Sequence, residues 1–188
     1  MQLSKNLKIL LIFCIILGSS LPLIAWGITT YLTTGEKETN WSITLFGTTI
    51  DENATILYQE IMNESLFIHI YNAPFNYCKS NGQSSWRNFS GIPIWNLIVY
   101  SNISYGAANA IRFYDYQGQP SIVTLDISIV QNNATMVIIA YAEDEVLFGG
   151  PPSGEGPLKS IVDCRLTYPI ISCGYATKWL AGIEFIIL

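Results

Sequence analysis

The chain has 188 residues, half of them hydrophobic and only 12% charged, with a formal net charge of −5 and an isoelectric point near 4.7. That length suits one domain with a proper core and is too short for two comfortable ones. An acidic chain with nine Lys and Arg in all excludes the clustered positive charge of a nucleic-acid footprint. Polarity comes instead from Asn, Ser, Thr and Tyr, so folding depends little on ionised carboxylates and the chain should tolerate acid.

The first eight residues carry Lys5 and Lys8 and no acid, and Ile9 to Leu17 is solidly apolar. This is the layout of a signal peptide, so export is expected. Small residues at −3 and −1 allow cleavage after Gly27 (Ala25 and Gly27) or after Ser20 (Gly18 and Ser20). Pro22 breaks the apolar helix just upstream of the first site and favours it. The rival reading is an uncleaved anchor over Ile9 to Gly27, close to the ~20 residues a bilayer span needs, but interrupted by Ser19, Ser20 and Pro22. Phe13 before Cys14 does not fit a lipid-attachment box. A short β-prone segment, Ile28 to Thr34, comes next, and Gly35-Glu36-Lys37-Glu38 hinges it from the rest. The expected layout is a signal peptide at 1–27, a strand and tether at 28–40, and a head domain at 41–188, with no stable membrane span after processing.

Beyond residue 40 no sustained 3.6-residue period appears. Short β-branched and aromatic runs recur between Gly, Pro and Asn. The predicted strands are Trp41–Leu45, Ser65–Tyr71, Trp95–Tyr100, Ile111–Tyr114, Ser121–Ile129, Thr135–Tyr141, Glu145–Phe148, Ser160–Leu166 and Lys178–Leu188. A short helix over Ala107 to Ile111 fits as well. The spacing predicts an all-β, antiparallel sandwich of immunoglobulin-like or jelly-roll type. Asn72 to Pro93 reads as a long connection, and Gly149 to Pro157 can be neither helix nor ladder strand. The last run stays apolar to Leu188, so it should lie inside a sheet.

The pattern Asn-x-Ser/Thr occurs six times, at Asn40, Asn53, Asn63, Asn88, Asn102 and Asn133, where chance would give about two. Single sites could be ordinary turn Asn residues, but the set predicts N-glycans on exposed loops and strand edges. Three cysteines remain after processing. Cys164 and Cys173 flank a Tyr168-Pro169 turn, and in an exported chain they are expected to form a disulfide. Cys78 is then the odd one, buried or pairing with one of the other two.

His69, the only histidine, could serve a hydrolase, but no nucleophile elbow accompanies it, and a strand histidine on one sheet face is the simpler reading. Glu143-Asp144-Glu145 lacks the alternating oxygens of a calcium loop and reads as a solvated turn between strands. A zinc site lacks ligands at suitable spacing. No catalytic constellation emerges, so the expectation is a non-enzyme without metal or cofactor, carrying only covalent glycans.

An exported, sequon-rich, all-β domain behind a detached N-terminal strand resembles the donor-strand pilins, and among them the thread filament subunit of thermoacidophilic archaea. The resemblance spans signal, tail and head and rests on architecture and composition. It implies a structural subunit of a glycosylated, pilus-like surface filament in adhesion or biofilm formation. Identical subunits would be its partners, with the export and glycosylation machinery. A subunit's strand would fill its neighbour's groove. The donor residues implied are Ile28, Thr30, Tyr31, Leu32 and Thr34, and cleavage after Ser20 would add Leu21, Leu23, Ile24 and Trp26. The C-terminal strand would border the receiving groove. The alternative is a monomeric cell-surface recognition glycoprotein, in which Ile28 to Thr34 is the domain's own edge strand.

Overall fold

The computed structural model describes residues 40–78, 83–149, 156–166 and 176–188, all within the compact unit Glu38–Leu188. The expected signal peptide and donor strand lie outside the described residues, as does the tether up to Thr39. Ten strands are described: β1 (Ser42–Phe46), β2 (Ala54–Leu57), β3 (Ile70–Cys78), β4 (Ser84–Pro93), β5 (Ala110–Asp115), β6 (Pro120–Asp126), β7 (Val137–Glu143), β8 (Val146–Leu147), β9 (Lys159–Val162) and β10 (Leu180–Ile186). Three short helices join them: α1 (Tyr58–Ile61), α2 (Ile94–Ser101) and α3 (Ile127–Asn132).

One sheet runs β2-β1-β10-β5-β6. The other runs β3-β4-β7-β8, with β9 also on β7. All pairs are antiparallel except β1 with β10, in which Thr44 faces Gly182 and Phe46 faces Glu184. The protein is an all-β sandwich of two largely antiparallel sheets. Its common core takes Ile43 and Leu45 from β1, Phe113 from β5 and Ile183 and Phe185 from β10. Ile92, Val137, Ile139 and Tyr141 meet them from the second sheet. Each large apolar side chain removed from water here contributes about 1.5–3 kcal/mol. A second cluster of Phe75, Phe89, Ile138, Ala140, Phe148 and Ile161 covers the other face of β7. That strand is therefore buried on both sides, which explains its unbroken apolar run.

The C-terminal strand is central, as its composition predicts. β1 lies along one edge and β5 along the other, from Leu180 opposite Asp115 to Ile186 opposite Ala110. Trp41 Nε1 also donates to Leu180 O at 2.7 Å. Both edges of this strand are thus paired within the chain.

Several local expectations change. Trp95–Tyr100 is helical. Pro93 leads into α2, Ile94, Leu97 and Ile98 are buried at helical spacing, and Asn102 ends it in the left-handed region at φ 51°. The predicted strand Ser121–Ile129 stops at Asp126, where α3 begins. No helix forms over Ala107 to Ile111, since β5 starts at Ala110. Ser65–Ile68 precede β3 as a turn, and Ala54–Leu57 is a strand that the pattern did not reveal. Asn72 to Pro93 is mostly a long hairpin, β3 with β4. Pro74 is tolerated because β3 is an edge strand of its sheet. Gly91 sits at a register shift where β4 meets β7. A Cβ there would lie 2.3 Å from Ile139 O, so only glycine fits. Of the acidic triplet, Asp144 and Glu145 form the expected solvated turn, whereas Glu143 ends β7, half-buried and paired with Arg87. Asp144 and Glu145 both have positive φ, 48° and 67°, the tight hairpin geometry that joins β7 to β8.

Candidate functional site

The predicted glycan sites lie on the surface to different degrees. Asn40, Asn53, Asn63 and Asn102 are exposed, whereas Asn88 and Asn133 are half-buried. Asn88 is within β4, and its carbonyl accepts from Asp144 N at 3.0 Å. The Asn133 amide donates to Ile129 O at 3.1 Å.

The expected Cys164–Cys173 disulfide is not formed. Cys78 is a disulfide-bonded cysteine, while the Cys164 thiol is buried. The reason is local: β9 ends at Val162, and Cys164–Leu166 turns as a 3₁₀ segment instead of extending a hairpin arm. The Cys78 backbone N–H points at the Cys164 sulfur. Burial, aided by the Asp163 charge, pushes this thiol's pKa up.

Charge gathers beside these sulfurs. The Asp163 side chain is fully buried. It accepts from Asn76 N at 3.1 Å, Arg165 N at 2.9 Å, and Arg165 Nε and Nη2 at 2.8 Å each. Burial alone would raise its carboxyl, but the Arg165 guanidinium and the Arg165 and Asn76 backbone N–H groups outweigh it and hold the pKa below the usual value. Arg165 lies over the Trp86 ring at 5.1 Å. Lys159, also buried, holds its ammonium 4.6 Å from the Tyr77 ring centre, a cation–π arrangement.

His69 is not in a strand. It precedes β3, stacks on Tyr71 at 5.8 Å, and places Nδ1 3.0 Å from the Tyr141 hydroxyl. Its buried Nε2 has no hydrogen-bond partner. Burial lowers the His69 pKa, against the opposing pull of Glu64, and pushes Tyr141 up to about 12. These two groups are a packed polar pair.

Among the described residues, a surface groove of about 320 Å³ is lined by residues 115, 119–122 and 176–179. One wall is the β5–β6 turn. Asp115 Oδ1 accepts from Gln117 N at 2.9 Å and Gln119 N at 2.8 Å, and Gly118 takes φ +76°. The other wall leads into β10. The Thr177 backbone is tied to Ser160: its carbonyl accepts from Ser160 N at 3.1 Å and its N–H donates to Ser160 Oγ at 2.8 Å. At this end Trp41, Tyr116 and Trp179 cluster, with ring centres 5.2–6.1 Å apart. Trp179 has φ +58°, a conformation that costs a bulky residue about 1–3 kcal/mol. Gly156 packs beneath it, where a Cβ would lie 2.7 Å from Trp179 Cα. The three rings come from segments far apart in sequence, so no local motif could have announced them.

Among the described residues no three His, Cys, Asp or Glu are placed to hold a metal, and no helix is long and apolar enough to cross a membrane. The described residues define a β-sandwich domain, and comparison with known proteins goes no further than that class. No described family matches the sequence, and no curated protein matches it either. Among solved structures it is similar to the sulfane dehydrogenase SoxCD from Paracoccus pantotrophus, with a TM-score of 0.58 and 11% identity. The match covers 79% of this chain and 38% of that one. It is a likeness of fold.

Proposed function

We propose that the chain is an exported, single-domain recognition protein of the cell surface, with an immunoglobulin-like sandwich as its head. One observation carries this reading over the filament subunit. Both edges of β10 are paired within the chain, by β1 and β5, so no strand position stands vacant beside the C-terminal strand for a neighbour to fill. The signal-peptide pattern and the six sequons support a surface location, and the aromatic groove offers a place for a ligand. Polymerisation through residues 28–34 would then need an outer edge such as β6, where Ile122 is 93% exposed. That edge is irregular, since the Ser121 hydroxyl accepts from Phe113 N and donates to Val123 O, and such kinks discourage strand addition. Negative-stain images of shed surface material, with sedimentation of the purified protein, test the reading. Monomers without fibres are expected, and fibres labelled by an antibody to this chain would replace it with the filament subunit.

A second reading, an oxidoreductase, is favoured by the sulfur and charge gathered at Cys78, Cys164, Asp163 and Lys159, together with the fold shared with a sulfane dehydrogenase. Turnover of a sulfane-sulfur compound with an artificial electron acceptor by the purified protein would support it. No turnover removes it.

A further inference from the structure

We infer that the groove beside Trp41, Tyr116 and Trp179 binds a neutral oligosaccharide. The inference rests on the recognition reading and names its ligand class. The first argument is the aromatic surface. The flat C–H face of a sugar ring is apolar and stacks on an aromatic ring, which Trp and Tyr offer with a polar edge for hydrogen bonds. Tyr116 is 53% exposed, and Trp179, which it contacts at 5.2 Å, lines the groove itself.

The second argument is the polar lining. Gln119 supplies a side-chain amide at an exposed position, and the charges are one carboxylate, Asp115, and one ammonium, Lys178. These are balanced, so the groove favours no strongly charged ligand; a phosphate or a nucleic acid would want an excess of cations. Sugar hydroxyls both donate and accept, and this mixed set answers both roles. Asp115 Oδ1 is committed to two backbone N–H groups, which fixes the carboxylate at the groove wall.

The third argument is rigidity. Trp179 is held at φ +58° over Gly156, while Leu180 N bonds Leu158 O at 3.0 Å and Trp41 Nε1 bonds Leu180 O. The ring is therefore fixed before any ligand arrives, which reduces the ordering cost of binding. Strain kept at a half-buried aromatic that lines the groove fits a binding site. None of the six sequon Asn residues lines the groove, so glycans on this chain start elsewhere.

The test is a titration of the full exported protein, followed by tryptophan fluorescence, with maltohexaose, cellohexaose, chitohexaose and the glycan released from the protein itself. A saturable change with at least one probe is expected. Tyr116→Ala and Gln119→Ala, both at exposed positions, should each weaken it about tenfold while leaving the thermal midpoint unchanged. Binding of the released glycan alone would place the ligand on a neighbouring copy, and binding of a hexose polymer would place it in the surroundings. Either result supports the site. No saturable change at millimolar probe, or variants that bind like the parent, overturns it. A monomer that binds no probe loses only the sugar assignment. Fibres whose subunits still bind sugar would overturn the recognition reading and leave the site standing.

Discussion

Asp163 offers the sharpest test of how the end of β9 is held. Its carboxylate is fully buried and receives four N–H donors, two from the Arg165 guanidinium and two from the backbones of Asn76 and Arg165. The guanidinium half of this set is discounted, because the Arg165 side chain is 52% exposed and water competes for it. The backbone donors belong to a strand and a 3₁₀ turn, and without the carboxylate they lose their acceptor. An orphaned buried donor costs about 1–3 kcal/mol. Two of them, with the loss of the ion pair, make Asp163→Ala cost about 3–5 kcal/mol. Asp163→Asn keeps the shape and one acceptor oxygen and should cost about 1.5–3 kcal/mol. The pH dependence follows from the sign of the shift. The folded pKa is depressed below the ordinary 3.8, so the contribution is fully present above that value and is lost as pH falls through the folded pKa. Urea unfolding followed by circular dichroism, at neutral and strongly acid pH, measures both effects. The gap between parent and Asp163→Asn should narrow in acid. A gap that is the same at both pH values, or an alanine variant within about 1 kcal/mol of the parent, refutes the reasoning.

His69 carries the opposite kind of titration. Burial lowers its folded pKa below 6.5, so the unfolded chain takes the proton first, and stability falls as pH drops from 6.5 through the folded value. His69→Gln should flatten the thermal midpoint across that window, and an unchanged slope would count against the buried-imidazole account. Gly91→Ala drives a Cβ into the Ile139 carbonyl and should cost about 1–3 kcal/mol or more, read as a shift of the urea midpoint; a neutral result would mean that the β4–β7 contact is looser than described. Peptide mapping without reduction should find Cys78 in a disulfide, and Cys164 should be alkylated only after unfolding, since its thiol is buried and its pKa raised. Fast labelling of the native protein at Cys164 would contradict that.

The strand-rich class was legible in the sequence because edge and half-buried strands alternate, as in Trp41–Leu45. The central place of β10 was legible because an unbroken apolar end must be covered. The turn at Asp144 and Glu145 was plain for the reverse reason, since exposed carboxylates stay in water, although Glu143 beside them is half-buried against Arg87. Trp95–Tyr100 misled, because Ile, Val and Tyr favour strands locally while Ile94, Leu97 and Ile98 gain more by facing the core from a helix. The sulfur pairing also escaped. Sequence spacing implied a hairpin at Cys164, whereas the buried Asp163 and its donors turn the chain there, and that anchor exists only once β3 lies alongside. The candidate site was the least legible of all. Trp41, Tyr116 and Trp179 meet only because β1 and β5 both pair with β10, one parallel and one antiparallel. Composition and periodicity determined the strand-rich class and the buried C-terminal run; long-range pairing, which carries no local signal, decided that Asn72–Pro93 is a hairpin, that Trp95–Tyr100 is helical and which side chains share a surface.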